Sequence, residues 1–169
     1  KRIGTGVGDT TTPSGLRELA TYASNPTANN TVQRVYGGDL LGNIWRFNIN
    51  DASTTAVRVV TLKDADTAAG HPQPITNRMN VVEIDGDTYI IAGTGSLLGL
   101  TDAADVTVRQ SVYSIRDPLT TTSPVIADNS LRSILRPGKF TTVSGSMADR
   151  NLVRSISCDT SVVGGCSRT

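Results

Sequence analysis

The sequence contains few of the residues on which metal sites and catalytic centres most often depend. Among its 169 residues there are two cysteines and one histidine, His71, in the stretch AAGHPQPIT. Two cysteines without a nearby histidine cannot supply the four ligands of a structural zinc site. His71 has no nucleophile in a G-x-S-x-G setting, so hydrolase chemistry lacks support, and we expect a solvated loop side chain.

Net charge and long apolar runs are also lacking. The 16 basic and 15 acidic residues give a formal charge of +1, and the basic residues are scattered and not interleaved with aromatics. Such a distribution gives little support to nucleic-acid binding. No apolar run approaches the roughly 20 residues that cross a bilayer as a helix. The sequence therefore predicts neither a nucleic-acid partner nor a membrane span in this segment.

The chain is rich in turn-forming residues, which separate short segments of alternating apolar and polar residues. It contains 16 glycines and only 4% aromatic residues. This pattern favours an all-β fold of short strands. Strands are predicted at 32–37, 43–49, 56–62, 79–84, 88–93 and 110–116.

Weaker signals flank these strands. The segment 14–23 is ambiguous: Ser14 is placed to cap a helix, and Leu16, Leu19 and Ala20 have helical spacing. Residues 118–169 read as largely irregular, with weaker strand signals near 130–135 and 151–156.

The stretch IDGDTYII (84–91) contains an Asp-Gly hairpin signal flanked by apolar residues. The pairs Asp64/Asp66 and Asp85/Asp87 are interpreted as turn residues.

The only tryptophan lies in a phrase that recurs further along the chain. The stretch VYGGDLLGNIWRFNI (35–49) aligns with IIAGTGSLLG followed by SVYSIRD, so that Trp45 corresponds to Tyr113. Two strand–turn–strand units at this spacing indicate a repeat, and a partial β-propeller of about two to three blades is the best candidate. Trp45 and Tyr113 would each fill the space between two blades. Coincidence between two glycine-rich hairpins is the alternative.

The turn inside the first unit carries two residues to which we assign structural roles. Gly42 is expected to adopt a backbone conformation that other residues resist. Asp39 is expected to accept hydrogen bonds from turn amides.

Several separate motifs resemble one known family. RVYGGDLLGNIWRFNI (34–49) resembles the blade signature of the C-terminal β-propeller of type IV pilus tip-associated adhesins, the PilY/PilC family. HPQPIT (71–76), GTGSLLG (93–99) and QSVYSIRD (110–117) follow in the family's order and spacing. The resemblance covers roughly Gly15–Asp117 and is weak after Pro118. One departure is Ser96-Leu97, where the family often has Arg-Tyr.

The resemblance implies that residues 1–169 are a fragment of that propeller, with quinoprotein-like blades. It implies a non-enzymatic protein, exported through the periplasm to the cell surface at the pilus tip. There such proteins act in pilus assembly and in adhesion to host or abiotic surfaces, with minor pilins or other pilus components as partners. The sequence contains no Arg-Gly-Asp tripeptide.

Two alternatives from other classes stay open. One is a scaffold propeller that binds other envelope proteins. The other is part of a quinoprotein-type dehydrogenase, but such enzymes use adjacent cysteines, a calcium ion and an acidic base. The chain has no adjacent cysteines and no such carboxylate cluster.

Many family members carry a calcium loop before the opening motif. The corresponding positions here are neutral; they are Asn25, Thr27, Asn29, Thr31 and Gln33. Because calcium affinity depends strongly on ligand charge, we expect no tightly bound calcium at this loop and no other cofactor.

The two cysteines, Cys158 and Cys166, lie in the short polar stretch CDTSVVGGC. This stretch suits a disulfide in an exported protein, with two free thiols as the alternative. The chain begins without methionine, so we expect it to come from a longer protein. With about two to three blades it should not close a ring, and the missing blades should come from residues outside the segment or from another copy.

Overall fold

The structure is a computed structural model in which the strands form separate antiparallel sheets. It describes residues 1–63, 70–96, 98–99, 102 and 110–125, together with the backbone of residues 138–144 and 153–158. The chain divides into two compact units, Lys1–Leu131 and Arg132–Thr169. The strands in the described residues are β1 (Leu19–Tyr22), β2 (Arg34–Gly38), β3 (Asn43–Asn48), β4 (Val57–Thr61), β5 (Asn80–Ile84), β6 (Asp87–Gly93), β7 (Val112–Asp117), β8 (Gly138–Ser144) and β9 (Val153–Cys158).

In the first unit, β1 to β4 form one sheet in sequence order and β5 to β7 form a second. We call these the first sheet and the second sheet. In the second unit, β8 and β9 pair as an antiparallel hairpin. The all-β class predicted from the sequence is confirmed, and no α-helix occurs in the described part of the chain. Nor do the described residues include a helix with the length and apolarity that a membrane crossing requires.

The six predicted strands are present, with ends that shift by a few residues. Of the two weaker signals, 151–156 overlaps β9, whereas 130–135 lies outside the described residues. The helical alternative at 14–23 is wrong. Ala20 and Tyr22 are buried while Leu19 and Thr21 are exposed, which is the period of a strand. Pairing with β2 fixes this conformation because it satisfies the backbone of an otherwise marginal segment.

The Asp-Gly signal at 84–91 marks the turn between β5 and β6. Ile84 pairs with Asp87, so the loop has two residues, Asp85 and Gly86. Both have left-handed backbone angles, with φ of 54° and 83°. This is the two-residue hairpin geometry that Asp-Gly favours, and the predicted hairpin is confirmed. The other predicted turn pair, Asp64/Asp66, lies outside the described residues.

Strand register supports the internal repeat. Gly37 pairs with Trp45 between β2 and β3, and Ala92 pairs with Tyr113 between β6 and β7. The other cross-strand pairs of the β2–β3 hairpin match pairs of the β6–β7 hairpin in the same register. The corresponding residues are Tyr36 and Ile91, Gly38 and Gly93, Ile44 and Val112, Arg46 and Ser114, and Phe47 and Ile115. Each sheet therefore contains one copy of the same strand–turn–strand unit.

The first sheet is covered on both faces. On the face that carries Trp45, the N-terminal segment (residues 1–15) lies across β3 and β4 and contributes Ile3 and Val7 to a small apolar core. Backbone hydrogen bonds from Gly4 to Thr54 and from Ala56 to Gly4, each 2.9 Å, hold the segment in place. The opposite face, which carries Tyr36 and Arg46, is covered by the second sheet.

Candidate functional site: a buried polar junction

The turn between β2 and β3 is organised by the carboxylate of Asp39, which is completely buried. Its Oδ1 accepts hydrogen bonds from the backbone N–H of Leu41 at 2.9 Å and of Asn43 at 2.8 Å. Its Oδ2 accepts from Asn43 Nδ2 at 2.9 Å and from Trp45 Nε1 at 2.8 Å. Four donors compensate the burial of this charge, as a buried carboxylate requires. The carboxylate that closes the turn therefore also orients Trp45.

Trp45 is 2% exposed, so the side chain is buried. Its ring lies in the apolar core formed with Phe47 and Ala56 beneath the N-terminal segment. Its equivalent, Tyr113, is 6% exposed and lies between the two sheets. An aromatic side chain thus occupies the same repeat position in each sheet, one under the N-terminal segment and one at the contact between sheets.

Gly42 occupies a position in the Asp39 turn that only glycine fits without rearrangement. Its φ is 79°, in the left-handed region. A Cβ atom at this position would lie 2.5 Å from the carbonyl oxygen of Leu62 and 3.1 Å from the backbone nitrogen of Gln73. Both obstacles are backbone atoms, which cannot rotate away.

Replacing Gly42 with alanine should therefore destabilise the protein by about 2–4 kcal/mol, from left-handed strain together with the clash. Replacing Gly86, which also has positive φ but open space around its Cβ position, should cost only about 1 kcal/mol. Urea unfolding of the two variants checks the difference. Equal losses would show that the clash at Gly42 contributes nothing.

A buried ion pair joins the two sheets. Arg46 of β3 is 1% exposed and Asp117, the last residue of β7, is 2% exposed. Arg46 Nη1 lies 2.6 Å from Asp117 Oδ1 and 2.7 Å from Oδ2. Arg46 Nη2 also donates to the carbonyl of Thr120. Residues 71 positions apart in sequence are thereby joined across the contact between sheets.

Asp117 receives two further hydrogen bonds at the same place. Tyr36 donates its hydroxyl to Oδ2 at 2.9 Å, and the backbone N–H of Leu119 donates to Oδ1 at 2.9 Å. We call Tyr36, Arg46 and Asp117 the junction triad. Burial raises the pKa of Tyr36, and the charge of Asp117 raises it further. The phenol therefore stays neutral and acts as a donor, and this contribution to stability is present below the ordinary pKa of tyrosine and is lost as pH rises beyond it.

A second link between the sheets comes from HPQPIT (71–76). Gln73 is fully buried, accepts a hydrogen bond from the hydroxyl of Tyr113 and donates Nε2 to Ser111 Oγ at 3.2 Å. The backbone N–H of Gln73 donates to the carbonyl oxygen of Leu62 at 2.9 Å. Two residues later, Ile75 N–H donates to the carbonyl of Asp39 at 2.9 Å. This segment connects the turn of the first sheet to the tyrosine of the second.

The sequence reasoning missed Tyr36, Arg46, Asp117 and Gln73. One available signal was Arg46 itself, a charged residue between Trp45 and Phe47 in an otherwise apolar strand. A charge at such a position requires a buried partner. The partner could not be named from the sequence because it belongs to a distant strand.

The side chains at the calcium-loop positions form hydrogen bonds with other groups of the same loop. Asn25 Oδ1 accepts from Thr27 Oγ1 at 2.9 Å and from Ala28 N–H at 3.1 Å. Asn29 Oδ1 accepts from Thr31 N–H at 3.0 Å, and Gln33 donates to Ser24 Oγ at 2.8 Å. No group of three or more His, Cys, Asp or Glu side chains placed to hold a metal occurs among the described residues.

Titration with calcium should give no saturable heat at micromolar concentration, because the loop offers no carboxylate to a hard cation. Isothermal calorimetry on the protein makes this measurement. A clear signal that disappears when Asn25 and Asn29 are both replaced by alanine would contradict the prediction.

Other predicted residues take no part in the junction. His71 is exposed in the loop before β5, and Asp87 pairs with Arg116 at 3.0 Å on the surface. The predicted disulfide falls outside the described residues, since neither Cys166 nor the side chain of Cys158 is described.

The disulfide prediction is testable directly. Closing so short a loop should stabilise the protein by about 2–3 kcal/mol. The exported, non-reduced protein should show no free thiol at Cys158 or Cys166 when unfolded in the presence of a thiol reagent. Stoichiometric labelling of both cysteines without reductant would contradict the disulfide.

The chemistry of the junction is that of a structural centre. Both oxygens of Asp39 and of Asp117 accept hydrogen bonds from internal donors. A carboxylate so engaged has no lone pair directed at a substrate. The arrangement fixes the geometry of two sheets relative to each other.

Comparison with known proteins shows what the chain is similar to. The chain is 36% identical over 113 residues to the type IV pilus biogenesis factor PilY1 homolog of Xylella fastidiosa, a match that covers 66% of the chain. Its fold matches the crystal structure of the Pseudomonas aeruginosa PilY1 C-terminal domain with a TM-score of 0.60 over 80% of the chain. The chain is PilY1-like.

The resemblance inferred from the motifs is thus confirmed, as is the all-β fold class. The PilY1-like segment spans 9% of the length of the curated relative and 34% of the matched structure. Identity to that structure is 23%, so the match shows the fold. No family model matches the chain.

Proposed function

We propose that this chain is a non-enzymatic β-propeller segment of a type IV pilus protein that contributes to pilus assembly. The observation that carries the proposal is the sequence match to the Xylella fastidiosa pilus biogenesis factor, which extends over 66% of the chain. The fold agrees with the proposal, because 80% of the chain matches the fold of the PilY1 C-terminal domain. Such a role requires a rigid segment that presents loops, and a junction with buried Arg46 and Asp117 provides rigidity.

The proposal places the protein on the cell surface at the pilus, with minor pilins or other pilus components as partners. A strain that lacks the gene should lose surface pili and regain them with the full-length gene. Asp39→Ala should fail to restore them, because it removes the acceptor for four hydrogen bonds. Glu18→Ala, at an exposed acidic residue just before β1, is the matched control and should restore them.

Sheared surface pilin and immunogold labelling of the protein are the readouts. Full piliation in the deletion strain would overturn the proposed role in assembly. Labelling confined to the cell interior would overturn the proposed location. Co-purification of minor pilins with the full-length protein tests the partners.

Adhesion is the second candidate function, on the strength of the family resemblance in the four sequence motifs. The two roles separate when attachment to host cells or abiotic surfaces is divided by the amount of surface pilin. An adhesin variant lowers attachment per pilus, whereas an assembly variant lowers the number of pili and leaves attachment per pilus unchanged. A scaffold for other envelope proteins predicts neither change.

The remaining alternative is a quinoprotein-type dehydrogenase. The absence of adjacent cysteines in the sequence and the internal bonding of the Asp39 and Asp117 carboxylates favour the non-enzymatic proposal. A quinone absorbance band in the purified full-length protein, together with dye-linked alcohol oxidation, would overturn it.

A further inference from the structure

The N-terminal segment covers the apolar core around Trp45 with few contacts of its own. All of residues 1–15 are described, and none of them is buried. Near the start of the segment, half-buried and exposed residues alternate, as in a strand laid across a sheet. In the described part of the chain, the two backbone hydrogen bonds that join residues 1–7 to the rest of the first unit are both made by Gly4. A well-buried core thus lies beneath a weakly attached cover.

Lys1 adds a polar contact at the edge of this cover. Its Nζ donates to the carbonyl oxygens of Asn48 at 3.2 Å and Ile49 at 3.5 Å, and also to that of Asp51. The ammonium lies 3.6 Å from Asp51 Oδ1, and the two side chains are 32% and 46% exposed. Because an exposed ion pair contributes little to stability and is screened by salt, this contact positions the segment without locking it.

Two glycines that follow the covering residues allow the backbone to turn. Gly6 and Gly8 have φ of 72° and 88°, in the left-handed region. Among the described residues, a Cβ atom at Gly6 would meet no neighbouring atom within 4 Å, so packing does not hold this position. Glycine also loses more backbone entropy on ordering than any other residue, which favours release. Further along, the backbone N–H of Leu40 donates to the carbonyl of Ser14 at 2.7 Å and ties the far end of the segment down.

We propose that residues 1–7 open and close as a unit while the first sheet stays folded, so that the N-terminal segment controls access to the apolar core around Trp45. Opening breaks the two hydrogen bonds at Gly4 and the contacts of Lys1, but it leaves the pairing of β1 to β4 intact. Exposing the opposite face of the same sheet requires breaking the buried pair of Arg46 and Asp117. The inference goes beyond the proposed function and holds whether the protein assembles pili or adheres.

The test compares two buried alanines in the full-length protein. Ala56, beneath the N-terminal segment, is 5% exposed, and Ala20, on the face covered by the second sheet, is 3% exposed. Ala56→Cys and its matched control Ala20→Cys are reacted with a maleimide under native conditions and in urea, and the unsubstituted protein gives the background from native cysteines. Under native conditions position 56 should label at least about tenfold faster than position 20, because it needs only local opening. In urea the two positions should label at similar rates.

A second substitution shows whether the N-terminal segment sets the rate. Ile3 packs on the core, so Ile3→Ala should speed native labelling at position 56 by about fivefold or more and leave position 20 unchanged. Thr10→Ala, at an exposed residue of the same segment, should change neither rate. Equal native rates at positions 56 and 20, or an equal acceleration of both by Ile3→Ala, would overturn the proposal. Labelling at position 56 that is as fast in the native protein as in urea would overturn it too.

Hydrogen exchange of the unsubstituted full-length protein gives a measurement that needs no cysteine. The backbone N–H of Ala56 donates to the carbonyl of Gly4, so its exchange reports release of the segment. It should exchange at least about tenfold faster than the paired amides of β3, which open only when the sheet does. Equal protection of Ala56 and β3 would overturn the proposal, independently of any pilus phenotype.

Discussion

Replacing Asp117 with alanine should lower the free energy of unfolding by about 3–5 kcal/mol, because Arg46 would remain buried without its counter-ion. The substitution also leaves the hydroxyl of Tyr36 and the N–H of Leu119 without their acceptor. Urea unfolding followed by circular dichroism measures the loss.

The matched control is the double variant Arg46→Met with Asp117→Leu. Replacing both partners of a buried pair by apolar residues is often neutral, since no charge remains to be compensated. The double variant should therefore be more stable than Asp117→Ala, although it removes more polar groups. If the single and double variants lose the same free energy, the ion pair is not what joins the sheets.

Replacing Trp45 with alanine should cost about 3–5 kcal/mol, the range for deleting a large buried aromatic side chain. The reason is twofold: the ring fills the core beneath the N-terminal segment, and Nε1 donates to Asp39. Because Trp45 is the only tryptophan of the chain, circular dichroism rather than fluorescence should follow unfolding.

Trp45→Phe separates the two contributions. It retains most of the ring volume but removes the donor to Asp39 Oδ2, so the expected loss is about 1.5–3 kcal/mol, the cost of one hydrogen bond to a charged group. If Trp45→Phe loses as much free energy of unfolding as Trp45→Ala, the hydrogen bond to Asp39 accounts for the stabilising effect of Trp45, and the ring volume does not. No loss in either variant would contradict the burial of the side chain.

The strands could be predicted because their signals are local. Alternation along β6 and β7 and the Asp-Gly turn at residues 85 and 86 depend on residues a few positions apart. β1 was ambiguous because exposed Leu16 and Leu19 imitate a helical stripe. Only pairing with β2, which is a tertiary interaction, decides its conformation.

The polar junction could be predicted only in part. The sequence indicates that Asp39 closes a turn, but the bond from Trp45 Nε1 depends on where a twisted strand directs its side chain. Arg46 and Asp117 are 71 residues apart. No local pattern pairs them, because many acidic residues of the chain were equally available as partners.

Piliation of strains that carry junction variants of the full-length protein tests the central claim, that this segment supports a pilus through the contact between its two sheets. The account predicts that Asp117→Ala loses sheared surface pilin and that Arg46→Met combined with Asp117→Leu restores most of it, in parallel with stability. Wild-type piliation in a strain whose Asp117→Ala protein is shown to be destabilised would contradict the account.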